Sequence, residues 1–449
     1  MTQRFFTPDR SGLDMLFTPD FSPEELAARR RRIAAEVGPD ARVLIVSAPP
    51  LPSDRLLTQD ASFYYFTGLE TCHSYLLVDG GTGRSQLFLP SRDTMSGEPE
   101  DRLGFEDADL IRQRLGFDAV ASTRELTAAL QGTKLIYTPL IEWEGDGATM
   151  FRANMCAKQR AEEEWDAAEP RHVRLVRLLG EKVPGVKVED VAPLVREMRT
   201  IKSPAEIAVL RSAGRIAAGA VVEAMKATRP GVTETHLQAV GEFVYRDRGH
   251  CGPAYGWIIA GGRRTWDGHY HRNNATLRDG EVVLMDCGPD LRHYTSDIAR
   301  VWPVNGRFDE WHRRTCGFLC EYHKALLAEV RPGVLPTEVY ERARQRMAAL
   351  CVAPGTPWHD RRDLFEQMVK RNVGYLNHGV GLSVHDAMGR WKDVPLRAGF
   401  VCVCDPMATF DDRHEYLRVE DTLVVTDDGC EVLTVDAPIE LDQIEAILQ

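Results

Sequence analysis

The sequence predicts two domains, an α/β domain followed by an α+β domain, and three observations carry that prediction. The chain has 449 residues, 43% of them hydrophobic, which is more than one compact core requires. In the first half, short apolar runs typical of strands alternate with helix start signals. In the second half, a hairpin with acidic residues occurs twice, each time after a helix preceded by Arg-Pro-Gly-Val, at residues 229–232 and 331–334. This repetition indicates that the second domain consists of two similar halves.

The first domain is predicted to comprise residues 1–190. Its first helix is predicted to begin at Pro23, because a serine precedes this residue and a glutamate occupies the third helical position. The basic run at 29–32 falls within this helix and is expected to be solvated. A glycine-rich segment at 79–83 lacks the Lys-Ser/Thr ending of a phosphate-binding loop, so it is predicted to be a hairpin turn. Strands are predicted at Val43–Ser47, Tyr75–Val78 and Gln86–Leu89.

The second domain is predicted to comprise residues 191–449. A charged, helix-forming stretch from about residue 158 to residue 199 leads into it, and the domain boundary is placed within that stretch. The next start signal is Ser203-Pro204-Ala205-Glu206, which opens a long, Ala-rich amphipathic helix.

The first acidic hairpin carries Asp286 and Asp297. Two apolar runs, at 282–288 and 294–301, flank a polar turn sequence and indicate strand, turn and strand. If the turn is centred on residues 290–293, the two aspartates face each other across the ladder, with Cβ atoms roughly 4.5–5.5 Å apart. Two carboxylates so close repel each other, and one takes up a proton unless a cation lies between them. A metal ion removes this conflict.

The second hairpin repeats the arrangement, with Asp405 at the end of one strand and Glu420 on the return strand. Because side chains alternate along a strand, Arg418, Glu420 and Thr422 are predicted to share one face. His378, in a Gly-rich turn, adds an imidazole. The second domain thus offers enough donors for two metal ions, located between its two halves. The predicted donors are Asp286, Asp297, His378, Asp405 and Glu420.

Charge and cysteine usage exclude several classes of protein. The net charge of -12 argues against a nucleic-acid partner, because binding phosphates needs a basic face. No apolar stretch approaches the roughly 20 residues that cross a bilayer, so no membrane partner is expected. The ten cysteines form no CxxC motif, and residues 1–20 lack the apolar core of a signal peptide. The expected location is therefore the reducing cytoplasm.

The order of these motifs resembles that of a known family, the aminopeptidase P and prolidase branch of the pita-bread (methionine-aminopeptidase-like) metallopeptidases. The resemblance covers nearly the whole chain and implies a creatinase-like N-terminal domain followed by a pita-bread catalytic domain. The matching motifs are Thr58–Gly68, Glu197–Ile207, Leu284–Gly288, Ser296–Arg300, His378–Gly381 and Arg418–Asp421.

The resemblance also implies roles for individual side chains. His269 and His385 match histidines that act on the substrate side, by hydrogen bonding or proton transfer. His271 lies close to His269 in the chain, but the spacing to the first acidic strand favours His269. The residues that match the family's metal ligands are Asp286, Asp297, His378 and Glu420.

Three positions depart from the family pattern. Asp405 stands in Asp-Pro-Met where the family usually has Glu-Pro-Gly, so the fifth donor is shorter by one methylene. Gly374 replaces a histidine that the family often carries four residues before the histidine ligand. Thr409 replaces a common aromatic residue. These departures leave the substrate preference open.

The resemblance implies a metal-dependent Xaa-Pro peptidase that acts through a hydroxide bridging two ions roughly 3.5–4 Å apart. Oxygen donors with a single imidazole suit Mn²⁺ best, with Co²⁺, Fe²⁺ and Zn²⁺ as further possibilities. The substrate implied is a small peptide with proline in second position. In the mechanistic hypothesis, Glu420 or Asp405 accepts the proton of the attacking group, while His269 and His385 stabilise the intermediate. Arg418 orients either Glu420 or the product end.

Several interpretations remain open at this point. An Xaa-Pro aminopeptidase, which acts on longer peptides, is favoured over an Xaa-Pro dipeptidase. Some family members are metal-free, creatinase-like hydrolases of C–N bonds, and others are non-catalytic modules that bind peptides. The nearly intact donor set argues against both, because a site without metal has no use for converging ligands. The resemblance further implies a homodimer or homotetramer.

Overall fold

The chain forms two compact units, Met1–Met198 and Arg199–Gln449. A computed structural model describes residues 16–50, 58–94, 103–143, 150–165, 167–249, 251–370, 376–386 and 390–449. The predicted domain boundary, at residues 190 and 191, lies eight residues before the division between these units and stays a prediction.

The first unit is built around a six-stranded mixed sheet with the order β4-β3-β2-β1-β5-β6. Strand β1 runs antiparallel to β2 and parallel to β5. The strands are β1 (Ala41–Val46), β2 (Tyr75–Asp79), β3 (Ser85–Leu89), β4 (Ala119–Ser122), β5 (Leu135–Thr138) and β6 (Lys187–Asp190). The helices are α1 (Pro23–Val37), α2 (Ala61–Thr67), α3 (Ala108–Leu115), α4 (Leu126–Leu130), α5 (Met150–Glu162), α6 (Arg171–Lys182) and α7 (Ala192–Thr200), which ends just inside the second unit.

The start of α1 and the turn between β2 and β3 have the structures that the sequence predicts. The Ser22 side chain accepts a hydrogen bond from the amide of Glu25 and caps α1, with Pro23 at its start. The segment between β2 and β3 is a hairpin turn in which Asp79 accepts hydrogen bonds from the amide and hydroxyl of Thr82. Helix caps and tight turns depend on neighbouring residues, so the sequence alone predicts them.

The basic run in α1 differs from the expectation of a solvated face. Arg29 and Arg30 are buried, and only the next two arginines are exposed. The Arg30 guanidinium donates to the carbonyls of Phe66 and Leu115 and to the Ser85 hydroxyl. Burial lowers the pKa of Arg30 to about 10. These acceptors are distant in sequence, so no local pattern could reveal them.

The second unit contains a seven-stranded antiparallel sheet with the order β13-β14-β17-β12-β9-β8, in which β18 also pairs with β17. Smaller sheets are formed by β11-β10-β7 and β15-β16. The strands are β7 (Gly252–Pro253), β8 (Ile258–Gly261), β9 (Val282–Cys287), β10 (Pro289–Leu291), β11 (Tyr294–Thr295), β12 (Ile298–Pro303), β13 (Leu376–Gly379), β14 (Val401–Cys404), β15 (Met407–Phe410), β16 (Glu415–Arg418), β17 (Glu420–Val425) and β18 (Cys430–Val432). The helices are α8 (Pro204–Ala227), α9 (Glu234–Gly249), α10 (Glu310–Leu327), α11 (Pro336–Val352), α12 (Arg362–Leu364) and α13 (Leu441–Ile447), and a π-helical turn (Phe365–Lys370) follows α12.

The predicted capping box opens α8. The Ser203 hydroxyl accepts a hydrogen bond from the Glu206 amide, and the Glu206 carboxylate accepts one from the Ser203 amide. One face of this helix is buried along its whole length, which its small side chains permit. Within the described ranges, no helix combines the length and the apolar character that crossing a bilayer requires.

The two halves of this unit repeat the same backbone hydrogen bonds. The amide of Gly231 donates to the carbonyl of Leu277, and the amide of Leu277 donates to Val232. In the second half, the amide of Gly333 donates to Leu396, and the amide of Leu396 donates to Val334. Both glycines have a left-handed φ, of 94° and 83°. The Arg-Pro-Gly-Val echo therefore marks equivalent turns, each of which precedes a helix and an acidic hairpin.

Candidate metal centre

Three buried side chains, carried by strands of the seven-stranded sheet or directly before one, converge on one point. They are Asp297, directly before β12, His378 in β13 and Glu420 at the start of β17, and their ligand atoms lie within 4.8 Å of one another. His378 Nε2 lies 3.6 Å from Asp297 Oδ2 and 3.9 Å from Glu420 Oε1. His378 was predicted in a Gly-rich turn, but it lies in a buried strand, and the glycines come after it. The structure thus brings together three of the five predicted donors.

The other two predicted donors meet at a guanidinium. Arg418 donates through Nε and Nη2 to the two carboxylate oxygens of Asp405, at 2.6 and 2.8 Å, and through Nη1 to Asp286. Its Nη2 also lies 2.9 Å from Glu420 Oε2, outside hydrogen-bonding geometry. Burial lowers the pKa of Arg418, but these three carboxylates raise it well above its ordinary value. Arg418 is therefore a fixed cation among the acids.

The register of the first hairpin differs from the prediction. Asp286 pairs with Ala299, not with Asp297. The hairpin turns at Arg292 and His293, both with left-handed φ, which is one residue further along than the predicted centre. Moving a turn by one residue shifts the pairing by two, so the expected direct opposition was wrong. The two carboxylates nevertheless share a face.

Tyr255 contacts both carboxylates of the first hairpin, and no sequence pattern pointed to this residue. Its hydroxyl lies 2.6 Å from Asp286 Oδ1 and 2.5 Å from Asp297 Oδ1. Burial and the two neighbouring carboxylates raise the pKa of Tyr255 well above its ordinary value, so the phenol keeps its proton. The residue lies in an irregular segment before β8, where no periodicity points to a function.

Thr422 confirms the predicted face of β17. Its hydroxyl accepts a hydrogen bond from the amide of Asp297 and donates one to the carbonyl of the same residue. Arg418, Glu420 and Thr422 therefore all point towards the acids, as the two-residue period predicts. The threonine fixes the backbone from which the Asp297 carboxylate projects.

The electrostatics of the cluster fit a divalent cation. Burial, and then the charge of Asp286, raise the pKa of Asp297 well above its ordinary value, and burial raises the pKa of Asp405 to about 6. Burial also lowers the pKa of His378 well below its ordinary value, which keeps the imidazole neutral, as a metal ligand must be. Neither carboxylate oxygen of Glu420 accepts a hydrogen bond from a described residue. Buried oxygens of this kind suit a cation.

The two predicted substrate-side histidines lie at the edge of the cluster. The His385 ring packs against the His378 ring with centroids 4.2 Å apart, and burial lowers the pKa of His385 to about 4. His269 is an exposed residue, and the partial burial of its ring lowers its pKa against the opposing effect of Asp286. His271 instead places Nδ1 3.3 Å from a backbone carbonyl. Both His269 and His385 are therefore neutral bases beside the acids at neutral pH.

The structure describes two of the three residues that depart from the family pattern. Both oxygens of Asp405 contact Arg418, and Asn377 Nδ2 donates to Asp405 Oδ2 at 3.2 Å. Thr409 is exposed on β15 and pairs with Tyr416 of β16. Gly374 lies outside the described residues.

Beneath the sheet, a second buried network supports the same strands. Arg300 Nη2 donates to Asp421 Oδ1 at 2.7 Å, and Arg300 Nη1 donates to the backbone carbonyl of Glu420, also at 2.7 Å. His323 Nε2 lies 3.1 Å from Asp421 Oδ2. These residues contact the backbone behind Glu420 rather than its carboxylate, so they support the strand that carries it.

Comparison with known proteins agrees with this geometry. Residues 208–427 match the model of metallopeptidase family M24, a range that contains all five predicted donors. The chain is 31% identical to Xaa-Pro aminopeptidase 3 of Rattus norvegicus, over 96% of this chain and 87% of that protein. It is 29% identical to the Xaa-Pro aminopeptidase of Escherichia coli, over 96% and 98%.

A solved structure shows the same architecture. Aminopeptidase P from E. coli with the inhibitor Pro-Leu is 27% identical, with a TM-score of 0.73 that covers 95% of this chain and 98% of that one. The fold is accordingly an N-terminal domain followed by a pita-bread catalytic domain, as the sequence predicts. With a donor set inside the matched range and relatives aligned over nearly its whole length, the chain belongs to the Xaa-Pro aminopeptidases of metallopeptidase family M24.

Proposed function

We propose that this metallopeptidase is a metal-dependent Xaa-Pro aminopeptidase, which hydrolyses the bond between an N-terminal residue and a following proline. The observation that carries the proposal is the buried group of Asp297, His378 and Glu420 inside the M24 match. The relatives named Xaa-Pro aminopeptidase support the substrate class. They also favour the aminopeptidase over the dipeptidase, and a metallopeptidase over a metal-free hydrolase or a binding module.

The five donors hold two divalent ions in this proposal. Asp297, His378 and Glu420 bind at one position, and Asp286 and Asp405 complete the set from the side of Arg418. Four carboxylates with one neutral imidazole favour Mn²⁺, with Co²⁺, Fe²⁺ or Zn²⁺ as alternatives. When bound, the ions polarise the scissile carbonyl and lower the pKa of water at the site.

The remaining side chains handle the substrate and its protons. His269 and His385 are neutral at physiological pH because burial lowers their pKa values, so each can accept or share a proton. We propose that they stabilise the developing oxyanion by hydrogen bonding and help to protonate the leaving proline nitrogen. Glu420 or Asp405 accepts the proton released during the attack. Arg418 holds both of these carboxylates in place.

The extent of the catalytic domain, the compartment and the oligomeric state are further parts of the proposal. We assign the catalytic domain to residues 191–449, because every proposed functional side chain lies in that range. All ten cysteines are free thiols, which supports a reducing compartment, and we propose the cytoplasm. We further propose a homodimer or homotetramer, as the family resemblance implies.

A direct test combines substrate assays with metal analysis. Protein freed of metal and reloaded with Mn²⁺ is assayed with an Xaa-Pro tripeptide and an Xaa-Pro dipeptide. We expect faster release of the first residue from the tripeptide, no release after chelation, and roughly two ions per chain. Asp297→Ala and His378→Ala should each abolish release, whereas Asp427→Ala, at an exposed acid of the same unit, should not. Full activity in either of the first two variants rejects the site.

A further inference from the structure

A second cluster of buried charges lies next to the candidate metal centre but contains none of its donors. Arg199 Nη2 lies 2.8 Å from Asp386 Oδ1, and Lys202 Nζ lies 3.7 Å from Asp386 Oδ2. All three residues are at least nine-tenths buried. The cluster therefore holds one carboxylate between two cations, away from solvent.

Charge balance in this cluster comes from a fourth residue. Glu206 is buried as well. Burial lowers the pKa of Lys202, and the charges of Asp386 and Glu206 oppose this decrease without reversing it. The Glu206 carboxylate also accepts a hydrogen bond from the Tyr294 hydroxyl at 2.8 Å. Buried charges are costly unless each is paired in good geometry, so two cations and two anions here require a defined arrangement.

Asp386 fixes one end of a short segment of chain. It follows His385 directly and forms a backbone bridge with Gly379 in β13. The other end is fixed at Gly381, whose carbonyl accepts hydrogen bonds from the amide and the hydroxyl of Thr295, at 2.8 and 3.0 Å. A segment held at both ends allows the side chain of His385 few orientations.

Gly381 shows how tightly the cluster packs. A Cβ atom at this position would lie 2.1 Å from Asp386 Oδ2 and 3.1 Å from Lys202 Cε. The Asp386 carboxylate thus occupies the space that any side chain at residue 381 would need. Even an alanine there would displace the carboxylate from its cations.

We propose that Asp386, held by Arg199 and Lys202, is a positioning residue that fixes the His385 ring beside the metal centre. The proposal rests on the proposed function, in which His385 contacts the reacting peptide. It also explains why buried charges are retained at the start of the second unit: a rigid support outside the donor set preserves the geometry of a catalytic group.

The first test removes the charge of Asp386 and then the whole pair. Asp386→Asn keeps the shape of the side chain, and we expect kcat to fall about 10- to 100-fold, because small misplacements have effects of this size. KM and the affinity for Mn²⁺ should each stay within about threefold, since the donors are untouched. Arg199→Met/Asp386→Leu replaces the pair by apolar groups and should regain thermal stability without regaining kcat. The matched control is Arg211→Met, which breaks the partly exposed pair with Glu431.

The second test observes the ring itself and needs no catalysis. The protein is labelled with ¹³C at its histidines, loaded with Zn²⁺ and studied by NMR. The imidazole resonance of His385 is assigned as the one that is absent from the spectrum of His385→Gln. We expect this resonance to shift or broaden in Asp386→Asn, in Lys202→Met and in Gly381→Ala, and to stay unchanged in Arg211→Met. An unmoved resonance, or a double variant that regains kcat together with stability, overturns the proposal. If the wild-type protein hydrolyses no Xaa-Pro peptide, the proposed function fails, but the ring test still decides the positioning.

Discussion

Tyr255 poses a proton-counting problem at the scale of a single residue. Its hydroxyl has one proton but lies within hydrogen-bonding distance of two carboxylates, Asp286 and Asp297. It can donate to only one of them at a time. When it donates to Asp286, which Arg418 also contacts, Asp297 is left to share another proton or bind a cation, which is why the site suits a metal ion.

The same contact predicts the effect of Tyr255→Phe. Groups that orient metal ligands typically contribute 10–100-fold to affinity, so we expect Mn²⁺ binding to weaken by about that factor. Isothermal titration of the metal-free protein measures the change. Tyr340→Phe is the control, because the Tyr340 hydroxyl donates instead to a backbone carbonyl, that of Val369, at 3.0 Å. Equal affinities in wild type and Tyr255→Phe would refute this role.

Asp405 is the residue at which the chain departs from its family, and its contacts explain what the shorter side chain does. Both of its oxygens bind Arg418. A glutamate at this position reaches further by one methylene, so it can contact a metal ion without giving up its backbone position. We expect Asp405→Glu to bind Mn²⁺ about tenfold more tightly, or about 1.4 kcal/mol. Titration of each variant with Mn²⁺ tests the idea, and Asp405→Asn should bind Mn²⁺ more weakly than the wild type. Weaker Mn²⁺ binding by Asp405→Glu than by the wild type contradicts it.

At the scale of elements, the β15-β16 hairpin ends at Arg418 and is tied to α10 through His312. His312 Nδ1 lies 2.8 Å from Asp309 Oδ2, and its Nε2 lies 3.2 Å from Glu415 Oε2. Burial lowers the pKa of His312, but the bonds to both carboxylates raise it overall above its ordinary value. The same bonds lower the pKa values of Glu415 and Asp309. The link is therefore strongest when His312 is charged and both acids are ionised.

The pH dependence of this link follows from those directions. The stabilisation by His312 is fully present below its unfolded pKa of about 6.5 and is lost as the pH rises through its folded pKa. The stabilisation by the two acids is lost as the pH falls through theirs. We expect His312→Gln to lower the free energy of unfolding by about 1.5–3 kcal/mol near pH ~5.5 and by less at pH ~8.5. Urea unfolding at both pH values measures this.

His359→Gln is the control for that experiment, since His359 pairs with Asp360 at an exposed site. Exposed pairs contribute little, so this variant should unfold like the wild type at both pH values. A loss of stability in His312→Gln that is independent of pH would mean that packing, not charge, holds the hairpin to α10.

Elements also show where sequence analysis reaches its limit. The starts of α1 and α8 are encoded by adjacent residues and were predicted correctly. The register of β9 and β12 depends on a turn at Arg292 and His293, where two non-glycine residues adopt left-handed φ. No pattern in the sequence reveals that choice, because a left-handed φ is uncommon for any residue other than glycine and, of the two, only the histidine is a type enriched there. Strand β13 was missed for a similar reason: a four-residue strand is recognisable only by the partner with which it pairs.

At the scale of the whole molecule, the proposed metal ions bind only the second unit. Binding stabilises a folded state by about 2.7 kcal/mol when free metal is 100 times Kd. We expect Mn²⁺ to slow hydrogen exchange in β9, β12 and β17, which carry or flank the donors, and to leave exchange in β1 unchanged. Mass spectrometry of the intact chain measures both units at once. Asp297→Ala should abolish the effect, and equal protection of β1 and β12 would contradict the assignment.

The architecture was largely predictable from sequence because it follows from repeated local signals, whereas the interior of the site was not. The two Arg-Pro-Gly-Val turns indicated two related halves before any contact was known. The five proposed donors stood out as a set because two hairpins each carry a pair of acids and a histidine lies between them in the chain, and their binding of metal stays a prediction. Tyr255 and the cluster around Asp386 carried no such signal, since their roles depend on residues far away in the chain.

The matched turns at Gly231 and Gly333 have a consequence for how a peptide is oriented. A backbone that is repeated in two halves presents the same groups to both ends of a bound peptide. Such a backbone cannot distinguish the amino-terminal end of the peptide from its carboxy-terminal end. Polarity must come from positions where the halves differ. Two residues before the acid, one half has Thr295 and the other has Arg418. If the chain binds a peptide as proposed, we expect unmatched side chains of this kind to set the direction of that peptide.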